Sequence, residues 1–173
     1  SYYQSTDSGA AYYTTDTSHT GLMAAMQDAS GHIYKYEYEA GYAYLKKAYM
    51  TTSVSGGYYS EEYTYAAGTY NLASIKDANG HITSITYLTG GKVDTVTYPD
   101  SKYFTLTYAT GVSKTLFDST SLTLNTTTVT DSWGHATEYA YGSDYLVRIA
   151  TNSLGDPTEY DYNTDKQVTA VRY

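Results

Sequence analysis

The chain has 173 residues, among them 25 Tyr, 14 Gly, 2 Pro and no Cys, and its formal net charge is -8. Without Cys there is no disulfide framework, thiolate zinc site or cysteine nucleophile. The acidic balance leaves no basic footprint for phosphates and excludes a nucleic-acid partner. No run of 18 apolar residues occurs, so no membrane insertion is expected. The start at Ser1, with no charged and then apolar leader, fits a processed or trimmed product whose signal peptide is already gone. Tyr makes up much of the 41% hydrophobic fraction. Its rings must therefore supply buried area that Leu, Ile and Val supply elsewhere.

In chain order, residues 1–20 read as a partial N-terminal unit: Asp7-Ser8-Gly9 precedes Tyr12-Tyr13. Residues 21–117 read as hairpin repeats. Leu22–Asp28 and Tyr42–Tyr49 are too short for independent helices and are expected to be strands. The first full turn, Asp28 to His32, leads from Gly31 into Ile33-Tyr34-Lys35-Tyr36-Glu37-Tyr38. A weaker copy runs from Gly57 to Tyr63-Thr64-Tyr65. Asp77 to His81 follows, with Asn79-Gly80 a favourable tight-turn pair. Gly80 opens the strand that ends at Tyr87. Asp100-Ser101 then precedes Tyr103 to Tyr108, with Ser101 in the glycine slot.

Residues 118–130 interrupt this rhythm as an insertion or extra hairpin; alternating Thr and Leu, including Leu122 and Leu124, favour strand. They also contain a glycosylation sequon, Asn125-Thr126-Thr127. Repeats resume over 131–173, with Asp131 to His135 around Gly134, then Asn152 to Asp156 around Gly155, ending in a partial unit. The closing Tyr lies seven residues past the turn glycine at Gly31, Gly80, Gly134 and Gly155. The base period is about 21 residues. Between the Tyr-ending strands lie shorter ones: Leu72/Ile75, Val93/Val96, Val112/Leu116, Leu146/Ile149 and Val168/Val171. Period-2 alternation bounded by Gly, Asn and Asp is the hairpin signature. The expected fold is all-β: tandem antiparallel hairpins stacked into an extended curled sheet or β-solenoid.

This pattern resembles the Rhs/YD-repeat family, on Asn152, Gly155, Tyr160, Asp161, Tyr162, Val168 and Val171, and more loosely from Gly21 to Tyr173. Lys166 and Gln167 stand where the family has Gly-Arg. The resemblance implies a spiral of β-hairpins used as a shell or as a cell-surface adhesion scaffold. Both ends fall mid-unit, which suggests either a piece of a longer array or a subunit that adds head to tail into a filament. The expected partners are copies of the chain or the rest of such an array, and glycans.

Candidate chemistry is sparse. The Asp28/His32, Asp77/His81 and Asp131/His135 pairs offer oxygen and imidazole ligands, but Asp more commonly fixes its own turn; no cofactor is expected. Glu37 and Glu39 share a strand face, and Glu61 and Glu62 are adjacent, yet no triad, phosphate loop or zinc-protease motif accompanies them. No enzyme activity is expected. Tyr36, Tyr38, Tyr63, Tyr65, Tyr139, Tyr141, Tyr160 and Tyr162 form rows suited either to stacking on sugars or to packing between hairpins. Polar alternates such as Glu37, Thr64 and Asp161 suggest that the Tyr face is the buried one. The functional expectation is a non-enzymatic extracellular or cell-surface scaffold, with carbohydrate binding or adhesion by a Tyr-rich face as the alternative.

Overall fold

The structure, a computed structural model, describes residues 21–27, 32–51 and 58–173. Asp28, Gly31, Gly57 and the partial unit at 1–20 lie outside the described residues. The fold is all-β, with no helix among the described residues. Among the described residues, thirteen strands form one antiparallel sheet whose order is the chain order and is open rather than closed on itself. Contacts divide the chain into two units, Ser1–Ile85 and Thr86–Tyr173.

The first unit carries β1 (Ala25–Gln27), β2 (Ile33–Tyr38), β3 (Leu45–Thr51), β4 (Tyr58–Tyr65), β5 (Leu72–Lys76) and the start of β6 (Ile82–Tyr87). Every residue of β2 and β5 is half-buried, so neither face alternates cleanly between inside and outside. Among the described residues only Ala24 and Ala25 are fully buried here. Cross-strand side-chain pairs therefore stabilise this unit. Lys47, Glu62 and Lys76 stand directly opposite one another on β3, β4 and β5. Both ammonium groups lie 3.3 Å from the Glu62 carboxylate. Hydrogen bonds from Lys76 and then Lys47 hold that carboxyl below its ordinary range. Two residue pairs along, on the same face, the Thr64 and Ser74 hydroxyls bond at 2.7 Å.

The second unit carries β7 (Val93–Thr97), β8 (Tyr103–Thr115), β9 (Ser121–Asp131), β10 (Ala136–Tyr141), β11 (Val147–Thr151), β12 (Pro157–Tyr162) and β13 (Val168–Arg172). Residues 121–131 are the long strand β9, paired along β8. The spacing predicts a turn near Gly111 and a separate strand at Val112–Leu116. Instead β8 runs unbroken from Tyr103 to Thr115, because a register shift between Ala109 and Val112 absorbs the glycine at φ 68°. The outer half of this long hairpin lies against the neighbouring strands. Leu124, Ala140 and Ile149 form the core, with Leu116 and Leu122 packed on it. Thr126, Ala140, Ile149 and Glu159 continue one rung across β9 to β12. The buried face of β10 is thus that of Ala140, only 1% exposed, while Tyr139 is 39% exposed. This reverses the expectation that the Tyr face is the inner one. Leucines from the hairpin tip cover the alternate face, so the rings there stay outside.

Eight hairpin turns share one geometry. In each, the first residue accepts from the N–H of the fourth, as in Gly80 to Asp77 and Gly155 to Asn152, and donates to the carbonyl of the fifth. The fourth residue adopts positive φ: Gly80 (84°), Gly134 (89°) and Gly155 (91°), but also Ser101 (65°), Ser119 (70°) and Lys166 (62°). Ser101 therefore occupies the glycine slot in conformation as well as in sequence, at the steric cost L-residues carry there.

Candidate functional site

Two arrangements of tyrosine stand out, and they do different things. The first is a clasp repeated along the sheet. At the last Tyr of β2, β4, β10 and β12 the register shifts, at Tyr38, Tyr65, Tyr141 and Tyr162. Each then faces the first residue of the next strand: Leu45, Leu72, Val147 and Val168. Bulges of this kind disturb the ladder and leave a main-chain group without its usual partner. Phenol hydroxyls take up carbonyls beside two of these shifts, at Leu45 and Val147, and two further carbonyls along the sheet. Tyr38 donates to the Met23 carbonyl (2.8 Å) and Tyr65 to that of Leu45 (2.7 Å). Tyr108 donates to Val93 (2.8 Å) and Tyr162 to Val147 (2.9 Å). Leu45 and Val147 are thereby held between two successive tyrosines, one opposite and one bonded to the carbonyl. Burial raises the Tyr38, Tyr65 and Tyr108 hydroxyls above their ordinary pKa, which keeps them donors. Cations cover two of these rings: Lys92 lies 4.7 Å from the Tyr108 centroid and Arg148 5.0 Å from that of Tyr162.

The second arrangement is a notch in the first unit, formed by the β2–β3 and β4–β5 loops. These loops are one residue longer than the eight regular turns. Their closing bonds run from the Glu39 N–H to the Tyr44 carbonyl (2.9 Å) and from the Ala66 N–H to the Asn71 carbonyl (2.8 Å). The extra length brings four rings together. Tyr70 lies 4.7 Å from Tyr42 and 5.2 Å from Tyr44, the latter nearly parallel at 10°; Tyr44 lies 5.2 Å from Tyr65. Tyr70 sits at φ 58°, a left-handed conformation unusual for a bulky side chain. The rings border a cavity of about 280 Å³ together with the Glu39 carboxylate, and Ala40, Ala66 and Ala67 supply the rest of its wall. Tyr70 donates to the Tyr42 hydroxyl at 2.6 Å, a bond that raises the Tyr70 pKa.

Of the eight tyrosines that sequence reasoning offers for sugar binding, only Tyr65 reaches this notch. Tyr38, Tyr65 and Tyr162 are bonded to main chain, Tyr63 to Glu61 (2.6 Å) and Tyr141 to Thr127 (3.3 Å). The periodicity argument misses Tyr42, Tyr44 and Tyr70, because they lie in loops. The signal present is the repeated Ala-Gly at Ala40-Gly41 and Ala67-Gly68, with Tyr42 directly after the first and Tyr70 two residues after the second.

The Asp/His turns are local. His81 Nδ1 lies 3.0 Å from Asp77 Oδ2, and His135 Nδ1 3.0 Å from Asp131 Oδ2. The other carboxylate oxygen accepts two backbone N–H groups in each, at 2.8 and 2.9 Å in Asp77 and 2.9 and 2.9 Å in Asp131. Asn152 and Asn163 make the same pair of backbone bonds with an amide. Asp28 lies outside the described residues, so the His32 pair is not placed. Among the described residues, no group of three or more His, Asp and Glu gathers in a way that would hold a metal ion. Glu37, Glu39 and Glu62 border a second depression beside Lys46 and Lys47.

Among the described residues, one carboxylate is buried. Glu159 on β12, only 3% exposed, accepts the Phe117 N–H at 2.5 Å from the tip of the β8–β9 hairpin. Its other oxygen makes no hydrogen bond and lies 3.7 Å from the Arg172 guanidinium. No protein-family model and no curated protein matches the chain.

Proposed function

We propose that the chain is a non-enzymatic structural scaffold of the Rhs/YD-repeat type, extracellular or at a cell surface. Its hairpins repeat with a period near 21 residues and stack as a curled sheet or solenoid. It works as part of a β-shell or as a filament subunit that adds strands head to tail to copies of itself or to the rest of a longer array. The observation that carries this reading is the repeated clasp. Tyr38, Tyr65, Tyr108 and Tyr162 use their hydroxyls on main-chain carbonyls earlier in the chain, 15 to 20 residues back. An unusually abundant side chain, with 25 copies, thus ties one hairpin to the one before it. An absence of Cys suits a material whose strength does not depend on redox state.

Size-exclusion chromatography and negative-stain microscopy over a hundredfold range of concentration test the assembly. Filaments or shells that grow with concentration support it, and dispersed monomers throughout end it. The second reading, carbohydrate binding by a Tyr-rich face, draws on Tyr139, 39% exposed on the face opposite the second unit's core. A glycan array decides it; silence removes it.

A further inference from the structure

The β2–β3 and β4–β5 loops bring two tyrosines, 28 residues apart in the chain, into hydroxyl contact. Tyr70 donates to the Tyr42 hydroxyl at 2.6 Å, the ring centroids lie 4.7 Å apart, and the planes are tilted by 43°. A phenol that loses its hydroxyl hydrogen becomes a radical, with its unpaired electron on the oxygen and on the ortho and para ring carbons. The para carbon carries the link to the main chain, so two such radicals couple through ortho carbons. Those carbons flank the C–O carbon, so converging hydroxyls also bring an ortho carbon of each ring towards the other ring. In the coupled product the two hydroxyls flank the new bond and share a hydrogen bond, as Tyr70 and Tyr42 already do. Both rings are open to solvent, at 39% and 45% exposure, so an oxidant reaches them without unfolding the loops.

We infer that Tyr42 and Tyr70 form a modification site: hydrogen peroxide, acting through a haem peroxidase, joins them as dityrosine, a covalent staple between neighbouring hairpins. One peroxide takes one electron and one proton from each phenol; its O–O bond breaks and it leaves as two waters. The two radicals form one C–C bond between ortho carbons, and each displaced ortho hydrogen moves to its own oxygen to restore the phenol. Neither hydroxyl has to be free of other partners, because the bond forms at carbon. Tyr44 is placed less well, since its ring stacks on Tyr70 at 10° and presents a face rather than an edge. The Tyr141 and Tyr145 rings are farther apart, at 6.4 Å. A bond between residues 42 and 70 restricts the unfolded chain as a disulfide does, in a chain that has no Cys. It falls in the first unit, where Ala24 and Ala25 alone among the described residues are fully buried. The site is independent of whether the chain assembles.

The test treats the full chain, in dilute solution, with a haem peroxidase and limiting hydrogen peroxide. Dityrosine fluorescence follows the reaction, and mass mapping of peptides locates the bond. The expected product is a monomer lighter by two hydrogen atoms, with the Tyr42 and Tyr70 peptides joined. Oxidation of the exposed Met23 and Met26 adds oxygen instead and is told apart by mass. Tyr42→Phe and Tyr70→Phe each keep the ring and are expected to slow coupling about tenfold. Tyr44→Phe is expected to couple as the parent does, which separates a lost reactant from a disturbed cluster. In urea the preference for this pair is expected to vanish, because the fold is what brings the two rings together. Preferred coupling at other tyrosines or between chains, or undiminished coupling in both Tyr42→Phe and Tyr70→Phe, would overturn the inference. So would the same pair joined to the same extent in urea. The coupled chain is expected to unfold at a higher urea concentration than the untreated one, and an unchanged midpoint would overturn its role as a staple.

Discussion

The two units solve the same problem with different side chains. Over residues 86–173 a long hairpin lays leucines on its neighbours, and Leu124, Ala140 and Ile149 become a conventional aliphatic core. Over the described part of residues 1–85, only Ala24 and Ala25 are fully buried. That unit relies on the Lys47–Glu62–Lys76 ladder, clasping tyrosines and a cluster of four rings. A second layer requires an element long enough to fold back. β8 and β9, with 13 and 11 residues, supply it; the described strands of the first unit have eight residues or fewer. Repetition of one hairpin makes a sheet, and departure from the repeat makes a core.

The sharpest way to break this contrast is truncation. Leu124→Ala removes a side chain from the centre of the aliphatic core and is expected to cost about 3 kcal/mol. Leu72→Ala, at a half-buried site of the first unit, is expected to cost about 1 kcal/mol. Urea unfolding of both variants measures the difference, and equal costs would mean that the second unit's core is no better packed than the first unit's ladder. Glu159→Ala comes next. It strips the Phe117 N–H of its acceptor and leaves a void beneath the hairpin tip, for about 2 kcal/mol. Faster amide exchange at Phe117 is expected to accompany it. Glu159→Gln keeps an acceptor oxygen and is expected to retain the slow exchange.

Sequence reasoning reads the strands well because period-2 alternation and Gly, Asn and Asp turns are local signals. Asp77, Asp131 and Asn152 place their turns correctly, and even Ser101 announces a left-handed residue by standing in a glycine slot. It fails where a local cue has two outcomes. Gly111 can end a strand or sit in a bulge, and only pairing with β9 decides. The inner face of β10 is likewise undecidable from Ala136 to Tyr141, because Leu116, Leu122 and Leu124 arrive from another hairpin. The notch escapes for a related reason. Tyr42, Tyr44 and Tyr70 belong to no period, and their meeting depends on two six-residue loops at the same end of adjacent hairpins.

The clasp is the feature both units share, so its disruption is expected to act alike in each. Tyr65→Phe in the first unit and Tyr162→Phe in the second each remove a hydroxyl from a carbonyl and are expected to cost about 1 kcal/mol. Tyr173→Phe, at a residue 92% exposed, is expected to change nothing. A clasp that matters in one unit alone would show as a large difference between the first two variants in the same urea titration.

The smallest effect concerns the turns and depends on pH. The Asp77 carboxyl is held below its ordinary range, chiefly by the His81 N–H and further by the His81 ring and the Asn79 N–H. Asp131 is lowered too: burial pushes it up, but the His135 and Trp133 hydrogen bonds outweigh that. A carboxyl depressed in the folded state stabilises above its unfolded value, near pH 4, and that contribution is lost as pH falls through the lower folded value. Asn152 and Asn163 hold the same backbone bonds with a group that does not titrate. Asp77→Asn is therefore expected to melt as the parent does at pH 7, and to lose less stability between pH 5 and pH 3. Adding Asp131→Asn is expected to flatten the profile further. Among the described residues, the remaining lowered carboxyls, Glu62, Asp100 and Asp118, contribute to the residual slope. If the double variant loses as much on acidification as the parent, the acid sensitivity belongs to those groups and not to the Asp/His turns.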